Sequence, residues 1–91
     1  EVTVDLIDEM VINNHIHSHL FIDYSFDNEN DEMQFIQQLA ETIYLDYFDQ
    51  INGDLYYLTL YIYDQDLVTV LDTYAYQINQ SVMHPGLTLL D

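Results

Sequence analysis

The chain has 91 residues, 17 of them acidic and none of them lysine or arginine, for a formal net charge of −17 at neutral pH. A domain of this length ordinarily holds about ten basic residues. Their absence excludes a P-loop lysine and an arginine fork for phosphate, and sets the chain against nucleic acid and anionic membranes at long range; the lack of cysteine excludes disulfides, thiolate catalysis and cysteine-based zinc sites.

Hydrophobic residues make up 49% of the chain, with nine Tyr and four Phe. Disordered acidic tails are poor in such residues, so residues 1–91 are expected to form a single compact domain. No apolar run approaches the ~18 residues of a membrane span. A soluble, cytoplasmic protein is expected, with any targeting segment removed or never present, since no basic leader stands before Glu1.

Val2, Val4 and Leu6 alternate with Thr3 and Asp5, and the apolar character runs on to Ile12. This reads as a strand, with a short helix over Val4–Ile12 as the competing pattern. Asn13-Asn14 tolerates positive φ and suits a hairpin turn. From His15 to Phe26 the alternation is long: Ile16, Leu20, Ile22, Tyr24 and Phe26 share one face, and His15, His17, His19, Phe21 and Asp23 the other.

The acidic stretch Asp27–Glu32 breaks this strand and opens a helix, with Asn28 or Asn30 as N-cap and acids at the positive end of the dipole. Ile36, Leu39, Ala40, Ile43, Tyr47 and Ile51 form its apolar stripe, and Gly53 is a natural stop. Asp46 and Asp49 stand in its last turns, where the dipole disfavours anions and lysine would be routine.

Leu55–Tyr63 is a strand by composition, with Tyr56, Leu58, Leu60 and Ile62 on one face and Tyr57, Thr59, Tyr61 and Tyr63 on the other. Asp64-Gln65-Asp66 is a turn. Leu67–Ile78 carries two patterns: its Val, Thr and Tyr favour a strand, while Leu67, Leu71, Tyr74 and Ile78 also fit a helical stripe capped by Asp66. Beyond Pro85-Gly86, Leu87–Leu90 would add an edge strand or cover the core. The sum is hairpin–helix–hairpin: a two-layer α+β domain of ββαββ type, with an antiparallel sheet and one main helix on one face.

The functional reading starts from the acids. Duplex DNA carries one charge per ~1.7 Å, so a domain about 30 Å across with 17 carboxylates matches roughly 18 phosphates. A nucleic-acid mimic that inhibits or sequesters a basic nucleic-acid-binding protein would use this charge. An engineered, negatively supercharged domain with no native activity would carry it as well. In the first case the partner-binding residues are expected around the second hairpin: Tyr57, Tyr61, Tyr63, Asp64, Asp66, Asp72 and Tyr74, with Tyr57, Tyr61 and Tyr63 sharing a face with Tyr74, Tyr76 and Asp72. Carboxylates would pair with Arg and Lys, and phenol rings would stack on guanidinium groups. Cross-strand aromatic pairing that merely supports the sheet, or burial of the tyrosines under another segment of the chain, is the structural alternative.

His15, His17 and His19 alternate on one strand face, a spacing that suits Zn²⁺, Ni²⁺ or Cu²⁺ with Asp23 or His84 nearby. Histidine is equally the residue left where basic ones are excluded, and no specific metal site or cofactor is expected. Asp27-x-Glu29-x-Asp31 has the acid alternation of a calcium loop, but Glu32 stands where the loop needs Gly and Gln38 where it needs Glu. An EF-hand is thereby excluded, leaving diffuse divalent-cation binding. Ser18 between His17 and His19 is no triad, because strand neighbours point to opposite faces. A non-enzymatic protein is expected.

Overall fold

A computed structural model describes residues 2–48, 55–79 and 86–90. Five strands and one helix follow in the order β1 (Thr3–Ile12), β2 (His15–Asp23), α1 (Glu29–Phe48), β3 (Tyr57–Tyr63), β4 (Val70–Asn79) and β5 (Gly86–Leu89). All five strands join one sheet in sequence order. The two-layer α+β reading holds. Residues 4–12 and the greater part of 67–78 are strand, and the tail supplies a fifth strand at the edge.

The β1–β2 hairpin closes through Asn13 and Asn14, at φ of 51° and 66°. Two successive left-handed residues make the turn whose twist matches paired strands, and asparagine adopts that conformation at small cost. Opposite this hairpin, β3 and β4 pair antiparallel across a loop built around Asp66. Its carboxylate accepts the N–H groups of Val68 and Thr69, both at 2.9 Å, and the Thr69 hydroxyl at 2.7 Å. These bonds hold Leu67 at a φ of 60°, a position strained for a residue with a Cβ.

In one respect the sheet departs from the antiparallel expectation. β2 and β3 pair parallel, from His15 opposite Tyr57 to Phe21 opposite Tyr63, so the sheet is mixed. Helix length explains this. Twenty residues of α1 span about 30 Å, as far as β2 runs, so the helix returns the chain to the end of the sheet where β2 began. The helix starts on an Asn28 cap: the Asp31 N–H donates to Asn28 Oδ1 at 2.8 Å, and Asn28 Nδ2 donates back to Asp31 Oδ2 at 3.1 Å. Ile51 and Gly53, the expected end of the stripe and stop, lie outside the described residues, as do Asp49 and His84.

One sheet face packs on the helix. Ile16 and Leu20 from β2, Leu58, Leu60 and Ile62 from β3, and Tyr76 and Ile78 from β4 meet Ile36, Ala40, Ile43 and Tyr44 of α1. A polar bridge sits at the margin of this core. Ser18, fully buried, donates to Glu9 Oε2 at 2.7 Å, and the Tyr47 hydroxyl donates to Glu9 Oε1 at 2.7 Å. Glu9 thus ties β1, β2 and α1 together. Among the described residues, no buried side-chain nitrogen or oxygen lacks a hydrogen-bond partner.

Candidate functional site

Among the described residues no helix covers the second sheet face, and strand alternation dictates what it displays. His15, His17, His19 and Phe21 of β2 stand opposite Tyr57, Thr59, Tyr61 and Tyr63 of β3. On the other flank Ile12, Met10 and Asp8 of β1 pair with His15, His17 and His19. The histidines and tyrosines interlock. His15 and Thr59 share a hydrogen bond of 2.6 Å, His17 and Tyr61 one of 2.9 Å, and His19 and Tyr63 one of 2.7 Å. The His15 and His17 rings stack with centroids 3.9 Å apart, and His19 stacks on Tyr61 at 4.5 Å. Burial, with the adjacent His17 acting the same way, pushes the His15 imidazole below its ordinary value.

This arrangement engages one ring nitrogen of each histidine, His15 Nε2, His17 Nδ1 and His19 Nδ1, in a sheet-supporting bond. Among the described residues, no group of three or more His, Asp or Glu side chains converges as a metal site. His15, His17 and His19 share a face as expected, but the described structure gathers them with phenols and a threonine hydroxyl.

A cleft of about 300 Å³ opens where the parallel strands β2 and β3 end, beside the start of α1. Four carboxylates, Asp23, Glu32, Asp64 and Asp72, line it together with Phe21 and Tyr63. Phe21 and Tyr63 belong also to the uncovered face, so cleft and face are continuous. Burial, then Asp72 and Glu29, raise the Glu32 carboxyl above its usual range. A group that receives positive charge would relieve that crowding.

The residues expected around the second hairpin therefore divide. Tyr63, Asp64 and Asp72 meet at the cleft. Tyr57 and Tyr61 lie on the uncovered face. Tyr74, Tyr76 and Asp72, expected to share the face of Tyr57, Tyr61 and Tyr63, do not: they pair with Leu60, Leu58 and Ile62, on the helix side of the sheet. Burial, followed by Glu32 and Asp72, pushes the Tyr74 phenol up to about 12. Tyr74 is thus a half-buried support beside the cleft rather than part of an exposed tyrosine face. Asp66 holds the β3–β4 loop, and hydrogen bonds from the Thr69 and Val68 backbone, then from the Thr69 hydroxyl, keep its carboxyl below the usual range.

Sequence reasoning missed Asp23 and Glu32 as cleft residues. The available signal was a strand–helix–strand crossover, which sets the ends of β2 and β3 beside the helix N-terminus. Comparison with protein-family models, curated proteins and solved structures found no match to this chain. Among the described residues, no helix is long and apolar enough to cross a membrane.

Proposed function

We propose that this is a non-enzymatic acidic binding protein that imitates nucleic-acid charge and occupies the groove of a basic nucleic-acid-binding protein. The observation that carries this reading is a charge of −17 with no lysine or arginine to interrupt it, on a body 35 × 25 × 24 Å. Duplex DNA of that long dimension carries about 20 phosphates. The charge count and the size of the domain agree with a short duplex to within a few charges.

Steering by such a field brings a cationic partner in fast, and local chemistry would fix it. The cleft supports that second step. Asp23, Glu32, Asp64 and Asp72 offer carboxylate oxygens to arginine or lysine, and Tyr63 at the rim offers a ring to a guanidinium. Tyr57, 43% exposed at the far end of β3, gives a second stacking position.

A competition titration tests this reading. A labelled duplex is bound to a basic DNA- or RNA-binding protein, and the domain is added near 0.15 M salt, where purely diffuse attraction is largely screened. Saturable 1:1 displacement, lost more on Asp72→Asn or Tyr63→Ala than on Asp27→Asn, supports the reading. Displacement that falls equally with each carboxylate removed, and not at all with tyrosine, leaves a featureless polyanion.

That outcome is what the second reading expects, an engineered acidic domain without a native partner. Asp46 favours it: α1 ends with an anion against the helix dipole and no basic residue in its last turn. Local stability has been given up at a position outside the cleft.

A further inference from the structure

The two edges of the sheet are unlike. β5 is four residues long, whereas β1 runs for ten. Among the described residues β1 has one strand neighbour, β2, so its outer row of N–H and C=O groups faces outward. Long edges of this kind are usually blunted by lysine, proline or a bulge; β1 contains no lysine or proline, and a single irregularity at Ile7 interrupts its pairing. It carries instead Leu6, Ile7, Met10 and Ile12, exposed by 39 to 57%.

Side-chain direction along β1 is fixed by its pairing. Asp5 and Asp8 stand opposite Phe21 and His19, on the uncovered face; Val4 and Leu6 stand opposite Ile22 and Leu20, on the helix side. A strand laid beside the first half of β1 would therefore meet Asp5 and Asp8 on one face and Val4 and Leu6 on the other; in the second half Met10 and Ile12 continue the face of the aspartates, and Glu9 lies on the helix side. A second copy of this chain is a poor occupant, since it brings another 17 negative charges. An extended basic segment is the complementary one.

We propose that β1 is a strand-addition surface for a segment of the partner that alternates basic and apolar residues. Its backbone would complete the edge ladder, its cationic side chains would lie over Asp5 and Asp8, and its apolar ones over Leu6. This rests on the reading above that the partner is basic, and it adds to the cleft a second place of contact and the conformation in which the partner lies along it.

The test uses the intact chain and three labelled ten-residue peptides of equal charge: Lys and Val alternating, the same residues in two blocks, and the alternating peptide with every second backbone amide N-methylated. Anisotropy near 0.15 M salt is expected to show the alternating peptide binding about ten-fold tighter than the other two, the margin that ladder bonds and aligned charges would supply. Amide exchange should slow along β1. Asp5→Asn with Asp8→Asn should remove most of the margin, and Asp27→Asn with Glu41→Gln, which neutralises as many charges, should leave it in place.

Equal binding by all three peptides would overturn strand addition while leaving the polyanion reading intact. No binding by any of them, even at low salt, would overturn both. Sedimentation of the protein alone as a dimer with β1 amides protected would seat a second copy on the edge and overturn the proposal.

Discussion

Glu9, Glu32 and His15 show how differently titratable side chains behave in this protein. Glu9 accepts from Ser18 and from Tyr47, whose phenol is pushed up to about 12 by burial and by that bond. Glu9→Ala leaves the buried Ser18 hydroxyl without its acceptor and should cost about 1–3 kcal/mol, read as a lowered midpoint in urea. Removing Glu32 should act the other way. Its raised folded-state value means that the folded protein holds the proton more tightly than the unfolded chain, so folding is favoured by acid and loses that support as pH rises through the folded value. Glu32→Gln should accordingly stabilise the fold at pH 7 by a few tenths of a kcal/mol once solvent screening is allowed for. Its advantage should vanish near pH 3, where wild type is itself protonated; equal melting temperatures at both pH values would contradict the crowding at the cleft. For His15 the folded-state value is depressed. The unfolded chain binds that proton more readily, and stability drops as pH falls from the ordinary value of 6.5 through the folded one. An imidazole titration followed by NMR should place the His15 midpoint below 6.5.

At the scale of elements, the helix ends are where stability can be moved without touching the core. Asn28→Ala removes the cap on the Asp31 N–H and should destabilise by about 1 kcal/mol. Asp46→Lys replaces an unfavourable charge in the last turns of α1 and should stabilise by a few tenths to about 1 kcal/mol. Clear destabilisation of the lysine variant in thermal melts would mean that Asp46 has a contact of its own. These helix features were legible in the sequence because capping and dipole act within a few residues, as were the Asn13-Asn14 turn and the face assignments of β2 and β3. Strand direction and the phase of β4 were not. Alternation says which residues share a face but not which way the neighbouring strand runs, and β3 is parallel to β2 only because α1 is as long as the sheet is tall. The phase of β4 hangs on a bulge, where Ile62 pairs with Asp72 and Tyr63 with Val70. Leu71 is the extra residue, and one extra residue reverses the faces of every later position in the strand. Tyr74 and Tyr76 therefore went under the helix, and the cleft, which needs both the crossover and the bulge, was only half visible through Tyr63, Asp64 and Asp72.

The whole molecule feels its charge as a sum, and salt separates what that sum does to the fold from what it does to a complex. At 0.01 M ionic strength the screening length is about 30 Å, close to the size of the domain, so nearly every carboxylate repels every other; at 1 M it is about 3 Å and only neighbours interact. The unfolded chain spreads the same 17 acids over a larger volume, so repulsion weighs more on the folded state. Added sodium chloride should raise the melting temperature steadily between these limits, by several degrees if the relief reaches about 1 kcal/mol in a domain of this size. Over the same range a complex with a basic partner should weaken, because the attraction being screened is between molecules rather than within one. The two trends run against each other and can be measured on one sample, by calorimetry and by the duplex displacement titration. Displacement that collapses at the first additions of salt, while the melting temperature is still climbing, would mean that net charge alone holds the complex. Displacement that persists near 0.15 M would mean that the carboxylates of the cleft and the phenols at its rim hold a partner at close range, where screening by salt is weakest.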